Sequence, residues 1–244
     1  MKIGIIGCGN IGGGIAKRLE GKQSLLLCDP HVPKSTTVAA IGKEADVIIL
    51  AVKPQKLSEV AKELKPKKEQ LIVSVLAGVT TERLQKELGT KNVIRMMPNL
   101  ALTVGSGVIA LAEDGVDEKR RELIEKLFGG LGTLHWIPES KFDAFTAIAG
   151  SGPAFVLVGI EATIDAAIAL GFSYQQGLEL VLGTLKGTVK LLEETKAHPA
   201  VLKTKITTPG GTTIAGLKKL EEHGLRHAIV EAYEAAFKRS RELQ

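Results

Sequence analysis

Lys2-Ile3-Gly4-Ile5-Ile6-Gly7-Cys8-Gly9-Asn10-Ile11-Gly12 decides how the rest of this chain is read. A short β-branched run hands over at Gly7 to a glycine loop, and a helical apolar pattern follows to about Leu19. A second apolar run, Leu25 to Cys28, ends on Asp29, near the roughly 20-residue offset at which a dinucleotide fold carries its ribose-binding acid. Glycines at this spacing recur by chance, but strand, loop, helix, strand and acid in this order predict a Rossmann-type fold. In that reading Gly7 permits a tight turn, Gly9 lets the backbone approach a pyrophosphate and Gly12 lets the helix lie close to the sheet. Asn10 and Ile11 supply N–H groups at the helix start. Asp29 fits a ribose hydroxyl and so favours NADH, although it also fits a plain strand-end residue. His31 and Lys34 could offset its repulsion of a phosphate, so the expected cofactor is NADPH or NADH.

Outward from this motif, strands are expected at Asp46 to Val52, Leu71 to Val75, Asn92 to Met97, Gly107 to Ala112 and, as an edge, Gly132 to Ile137. Helical spacing falls at Gln55 to Leu64, Thr81 to Leu88 and Glu118 to Phe128. Alternation with short links predicts an α/β Rossmann-type doubly wound parallel sheet. Residues just past its strand ends, Lys53, Ala77, Gly78, Met97 and Asn99, should then line the cofactor crevice. From Pro138 onward the spacing is helical, near 139–149, 153–170, 174–194, 213–222 and 225–241. The expected division is a dinucleotide-binding domain, 1–150, and an all-α dimerisation and substrate domain, 151–244.

The helix after Gly152-Pro153 is apolar in nearly every direction, from Phe155 to Leu170, and such a helix must be buried. The segment beyond Gly150 is too short to enclose it alone, which points to a homodimer, the alternative being a helix packed against its own first domain. Glu161 and Asp165 fall on one face and read as its polar or interface side. They also interrupt the apolar run, so Ala154 to Leu170 is expected to fall short of a bilayer span.

The bulk numbers narrow the function classes. Among 244 residues, 44% are hydrophobic and 24% charged, as in ordinary soluble domains. The net charge of +5 is spread along the chain, and with 4% aromatics no stacking platform for nucleic acid is offered. Cys8 and Cys28 read as reduced residues, and the five histidines lack a companion set for a metal. No targeting segment is visible, so the expected location is cytoplasmic, with no nucleic-acid or membrane partner.

Ile206-Thr-Thr-Pro-Gly-Gly-Thr-Thr-Ile-Ala-Gly-Leu217 runs a Pro-Gly-Gly turn into helix-forming sequence. That brings backbone N–H groups and Thr hydroxyls to one helix start, where an anion such as a carboxylate is favoured. Taken alone, it fits an ordinary capped helix better than an anion site.

Taken together, Gly7 to Gly12, Val52-Lys53-Pro54, Arg95-Met96-Met97-Pro98-Asn99, Gly150-Ser151-Gly152-Pro153-Ala154-Phe155, the Thr207 to Thr213 run and the ending Arg239 to Gln244 resemble pyrroline-5-carboxylate reductases over essentially the whole chain. The resemblance implies reduction of a cyclic imine, 1-pyrroline-5-carboxylate, to L-proline with NAD(P)H, by dimers that can build larger rings. It adds Val52, Lys53, Pro54 and Asn99 to the cofactor residues. It assigns Ser151, Gly152 and backbone donors of Gly210, Gly211 and Thr212 to the substrate, with the Thr213 hydroxyl as catalytic donor or relay at the imine nitrogen. Two positions depart from the family pattern: Thr204 and Lys205 stand where an acid is usual, and Ala149 where a serine is common. The competing readings are another Rossmann imine or hydroxy-acid reductase and a non-catalytic dinucleotide-binding protein. The expected lysine of a β-hydroxyacid enzyme is missing from Phe155 to Leu170.

Overall fold

The computed structural model describes residues 1–242; Leu243 and Gln244, the end of the Arg239–Gln244 stretch, lie outside the described residues. It divides into two compact units, one of Met1–Gly150 with the chain's end from Ala236, the other of Ser151–Ala235.

The first unit is built on seven strands: β1 (Lys2–Ile6), β2 (Ser24–Cys28), β3 (Val47–Leu50), β4 (Leu71–Ser74), β5 (Val93–Pro98), β6 (Gly107–Ala112) and β7 (Gly132–Ile137). They lie in the order β2-β1-β3-β4-β5-β6-β7, with β7 at one edge. All neighbours are parallel except β5 and β6, where Met96 faces Leu111 and Pro98 faces Ile109 in antiparallel register. The all-parallel expectation fails there for a simple reason. A parallel return needs a crossover of roughly a dozen residues or more, usually a helix, and β5 reaches β6 through only a 3₁₀ turn, Leu100–Val104.

Helices cover both faces. On one, α1 (Asn10–Leu19) and α5 (Glu118–Phe128) pack Ile15, Leu19, Ile124 and Phe128 against Ile3, Ile5, Val47 and Ile49. On the other, α2 (Val38–Glu44), α3 (Leu57–Leu64) and α4 (Thr81–Leu88) bury Ile41, Leu57, Leu64 and Leu84 against Ile48, Leu50 and Ile72. Helix α2 has no counterpart among the sequence expectations, though Thr37 caps it through its hydroxyl, which accepts from the Ala40 N–H.

A short helix, α6 (Phe142–Phe145), leads through a π-helical turn, Thr146–Ser151, into α7 (Gly152–Ala169). The expected break at Gly150-Ser151-Gly152-Pro153 is absent, and the chain runs helically from Glu139 to Ala169. By length and composition this longer helix, Glu139–Ala169, would suffice to cross a bilayer, a test that the shorter stretch Ala154 to Leu170 was not expected to meet. Within one chain it is also not buried: Leu157 and Val158 are 61% and 65% exposed. A helix of this composition calls for a covering surface.

The second unit continues with α8 (Tyr174–Thr195), α9 (Pro199–Ile206), α10 (Thr212–Glu222) and most of α11 (Leu225–Glu242). Helix α9 was not anticipated. Its start is set by Pro199 and by His198, whose Nδ1 accepts from the Ala200 N–H.

Candidate active site

Because β1 to β5 run parallel, their carboxyl ends lie along one sheet edge, bringing together the loops at Gly7–Gly9, Asp29, Ala51–Pro54 and Asn99. Gly7 has φ = 92°, a left-handed conformation, and a Cβ on it would stand 2.6 Å from the Ala51 carbonyl oxygen. A Cβ on Gly12 would strike the Gly7 carbonyl oxygen. Gly9, by contrast, faces open space, exposed and extended at the N-cap of α1, and no side chain caps that helix. A tight turn, an open backbone and an uncapped helix start whose first turn includes Asn10 and Ile11 fit a pyrophosphate.

Asp29 stands at the end of β2. One carboxylate oxygen accepts from the Cys8 N–H at 2.7 Å and the other from the His31 N–H at 2.9 Å. These bonds, the Cys8 one foremost, hold its carboxyl below the usual carboxylate range against a small opposing effect of burial. The acid is thus ionised and locked to the glycine loop.

Val52 is half-buried, Lys53 is exposed, and Pro54 opens a 3₁₀ turn. Met97 does not reach the crevice; it is buried with Ala110, Ala112 and Phe142. Asn99 is 6% exposed, and both ends of its amide are committed inside the protein: Nδ2 donates to the Ala149 carbonyl at 2.9 Å and Oδ1 accepts from the Val108 N–H at 3.1 Å.

In the second unit, the Thr207–Gly211 loop joins α9 to α10. Gly210 has φ = 70°, a left-handed value that suits glycine. Gly211 is the extended N-cap of α10, with no side-chain cap and no acid in the first turn. Its own N–H bonds to the Thr208 carbonyl at 3.1 Å, so it is less free than the sequence suggested. The Thr212 and Thr213 hydroxyls make no hydrogen bond among the described residues, and Thr213 is half-buried. Thr204, where the family usually carries an acid, donates its hydroxyl to the Ala200 carbonyl and presents no charge. Ser151 is half-buried with its hydroxyl unused, and Gly152 is buried, a Cβ there reaching 3.2 Å from the Tyr233 hydroxyl.

Sequence reasoning missed one polar anchor. Arg95 is 2% exposed on β5; its Nη1 donates to Glu139 Oε1 at 2.9 Å and its guanidinium lies 4.5 Å over the Phe142 ring. Glu139 Oε1 also accepts from the Thr81 N–H. An arginine inside the apolar run Val93 to Met97 was the available signal. Among the described residues, no group of three metal-ligating side chains occurs.

A Rossmann sheet with an open glycine loop, joined to a helical region that leaves an apolar helix exposed, defines a nicotinamide-dependent oxidoreductase that self-associates. Residues 139–243 match the profile described as pyrroline-5-carboxylate reductase dimerisation, and residues 2–78 match one described as NADP oxidoreductase, coenzyme F420-dependent. The chain is 40% identical to pyrroline-5-carboxylate reductase of Aquifex aeolicus, covering 100% of this chain and 97% of that protein. It is 38% identical to the Methanosarcina acetivorans enzyme of the same name, over 100% of this chain and 98% of the other. The solved Plasmodium falciparum pyrroline carboxylate reductase with NADP bound superposes with a TM-score of 0.91 at 30% identity, covering 100% of this chain and 98% of that one. The chain belongs to the pyrroline-5-carboxylate reductase family.

Proposed function

We propose that this chain reduces 1-pyrroline-5-carboxylate to L-proline, the last step of proline biosynthesis, with NADPH or NADH as the reductant. When bound, the reduced nicotinamide supplies a hydride to the imine carbon. Gly7, Gly9, Asn10, Ile11 and Gly12 would hold the pyrophosphate by backbone and space, Asp29 would take the ribose hydroxyls, and Val52, Lys53 and Pro54 would border the nucleotide. The ionised state of Asp29 supports use of NADH, while the likeness to NADP oxidoreductases supports NADPH.

The observation that carries the substrate reading is the uncapped start of α10, with two unspent hydroxyls beside it. Backbone donors there neutralise the substrate carboxylate and orient the ring. The Thr213 hydroxyl sits at the imine nitrogen, either donating a hydrogen bond to it or relaying the proton that balances the hydride. An imine already protonated needs no stronger acid, which agrees with a helix start that holds no carboxylate. Ser151 and Gly152 complete the substrate contacts. Residues 1–150 are assigned to dinucleotide binding and 151–244 to dimerisation and substrate binding. Two copies form a homodimer that can extend to a larger ring, in the cytoplasm, without nucleic acid or membrane.

Purified protein mixed with NADPH or NADH and pyrroline-5-carboxylate should oxidise the cofactor and yield proline in equal amounts. Absence of proline with both cofactors overturns this assignment.

A further inference from the structure

A helix that runs through a proline must answer for two faults. Pro153 has no N–H to offer the carbonyl four residues back, and its ring crowds that same group. The carbonyl concerned is that of Ala149. Here the helix passes through a π turn over Thr146–Ser151, and the Asn99 amide, reaching across from the end of β5, donates to the Ala149 carbonyl at 2.9 Å. The other end of the same amide is pinned by the Val108 N–H, and the Asn99 N–H bonds to the Val108 carbonyl, so the donor cannot swing away. Arg95 and Met97 share one face of β5, and Asn99 follows immediately past its end. Arg95 holds Glu139, Met97 packs with Phe142, and Asn99 holds Ala149, making one seat for the helix from its first turn to the π turn. Thr146 adds a bond from its hydroxyl to the Phe142 carbonyl at 2.7 Å. π turns are frequent at functional sites. The last residue of this one is Ser151, with its unused hydroxyl.

We propose that Asn99 is a positioning residue for the reaction: it substitutes for the N–H that Pro153 lacks, holds the π turn, and so aims Ser151 and Gly152 at the substrate. This replaces the cofactor contact that its place at a strand end suggested, and it rests on the substrate role given to Ser151 and Gly152 above.

The test is a rescue. In Asn99→Ala, amide exchange around residues 149–152, read without ligand by hydrogen–deuterium exchange, should quicken about tenfold, the scale of one lost buried hydrogen bond. The imine KM should rise about as much, with NADPH and NADH Kd values within about twofold of the parent. Adding Pro153→Ala restores the missing donor and should bring exchange and KM most of the way back. If Asn99→Ala does not fold, Asn99→Asp, which keeps an acceptor for Val108, is read the same way. Strictly additive effects of the two substitutions, or a loss concentrated in cofactor Kd, would overturn the proposal. A parent protein that makes no proline would instead break the functional reading, and the exchange rescue would still decide the role of Asn99.

Discussion

Helices α1 and α10 begin alike and are used differently. Each has an extended glycine at the N-cap, Gly9 and Gly211, and neither has a side chain closing its first turn. At α1 the third helical residue is Gly12, jammed under the Gly7 carbonyl; at α10 it is Ile214, 43% exposed. At α1 the second residue is an isoleucine, and at α10 it is Thr213 with a free hydroxyl. One start is thus defined by absent side chains, which suits a phosphate read by the backbone. The other pairs the same backbone feature with hydroxyls, which suits a ligand that must be both held and given a hydrogen bond.

The comparison breaks most visibly at the third helical position. Gly12→Ala should abolish measurable NADPH and NADH binding and destabilise the first unit by several kcal/mol (about 3 or more), because the new Cβ meets backbone at Gly7 and lies 2.9 Å from Ala51 Cβ. Ile214→Ala should shift stability by less than about 1 kcal/mol, since that side chain is largely exposed. Urea titration with cofactor fluorescence checks both, and equal effects at the two sites would end the distinction.

Next in size is the hydroxyl. Thr213→Ala should lower kcat by about 10²- to 10⁴-fold, the range for a lost proton-transfer or hydrogen-bond group, while leaving cofactor Kd alone. Single-turnover kinetics would read it, and an unchanged rate would remove Thr213 from the mechanism.

A smaller effect is expected from filling the two open caps. Gly9→Ser and Gly211→Ser introduce a hydroxyl where φ, ψ are −66°, −160° and −79°, 175°, conformations a serine cap adopts. Gly9 has no atom within 4 Å of the new Cβ, whereas at Gly211 the Thr208 hydroxyl must turn aside. Each new cap competes for the N–H groups the ligand uses, so affinity should fall about tenfold, the scale of one cap. Gly9→Ser should raise cofactor Kd only, and Gly211→Ser imine KM only. Crossed effects would show that the two starts do not divide the ligands.

The two starts also differ in how far the sequence revealed them. Gly7, Gly9, Gly12 and Asp29 were legible because strand, turn and helix constraints all fall within one βαβ unit, where local pattern and fold agree. Gly210 to Thr213 gained weight only from the rest of the chain and from the resemblance, since a capped helix and a carboxylate cradle look the same locally. What escaped was non-local. The antiparallel β5–β6 pair hung on a missing crossover. The gap between the expected helices 139–149 and 153–170 is instead continuous helix, with the side chain of the distant Asn99 bonded to the Ala149 carbonyl. Asn99 was expected at the cofactor from its place past a strand end and from the resemblance, and neither signal shows that its amide is bonded to Ala149 and Val108.

The smallest effect concerns the acid that α1 has beside it and the first turn of α10 lacks. The Cys8 and His31 N–H groups keep the Asp29 carboxyl below its ordinary value, so the unfolded chain binds that proton more tightly than the folded one. The resulting stabilisation is complete above the unfolded pKa of about 3.9 and drains away as pH falls through the lower folded value. Asp29 is solvated enough that its size should stay under about 1 kcal/mol. Asp29→Asn keeps one acceptor and loses the charge, so its stability should trail the parent's by that amount near neutrality and converge on it in acid. For Thr213→Ala, with no carboxylate in its helix turn, the gap to the parent should stay level over the same range. Urea titrations of the three proteins at stepped pH would show this. An Asp29→Asn gap that persists undiminished in acid would mean that the carboxylate acts at the glycine loop through shape and not through its charge.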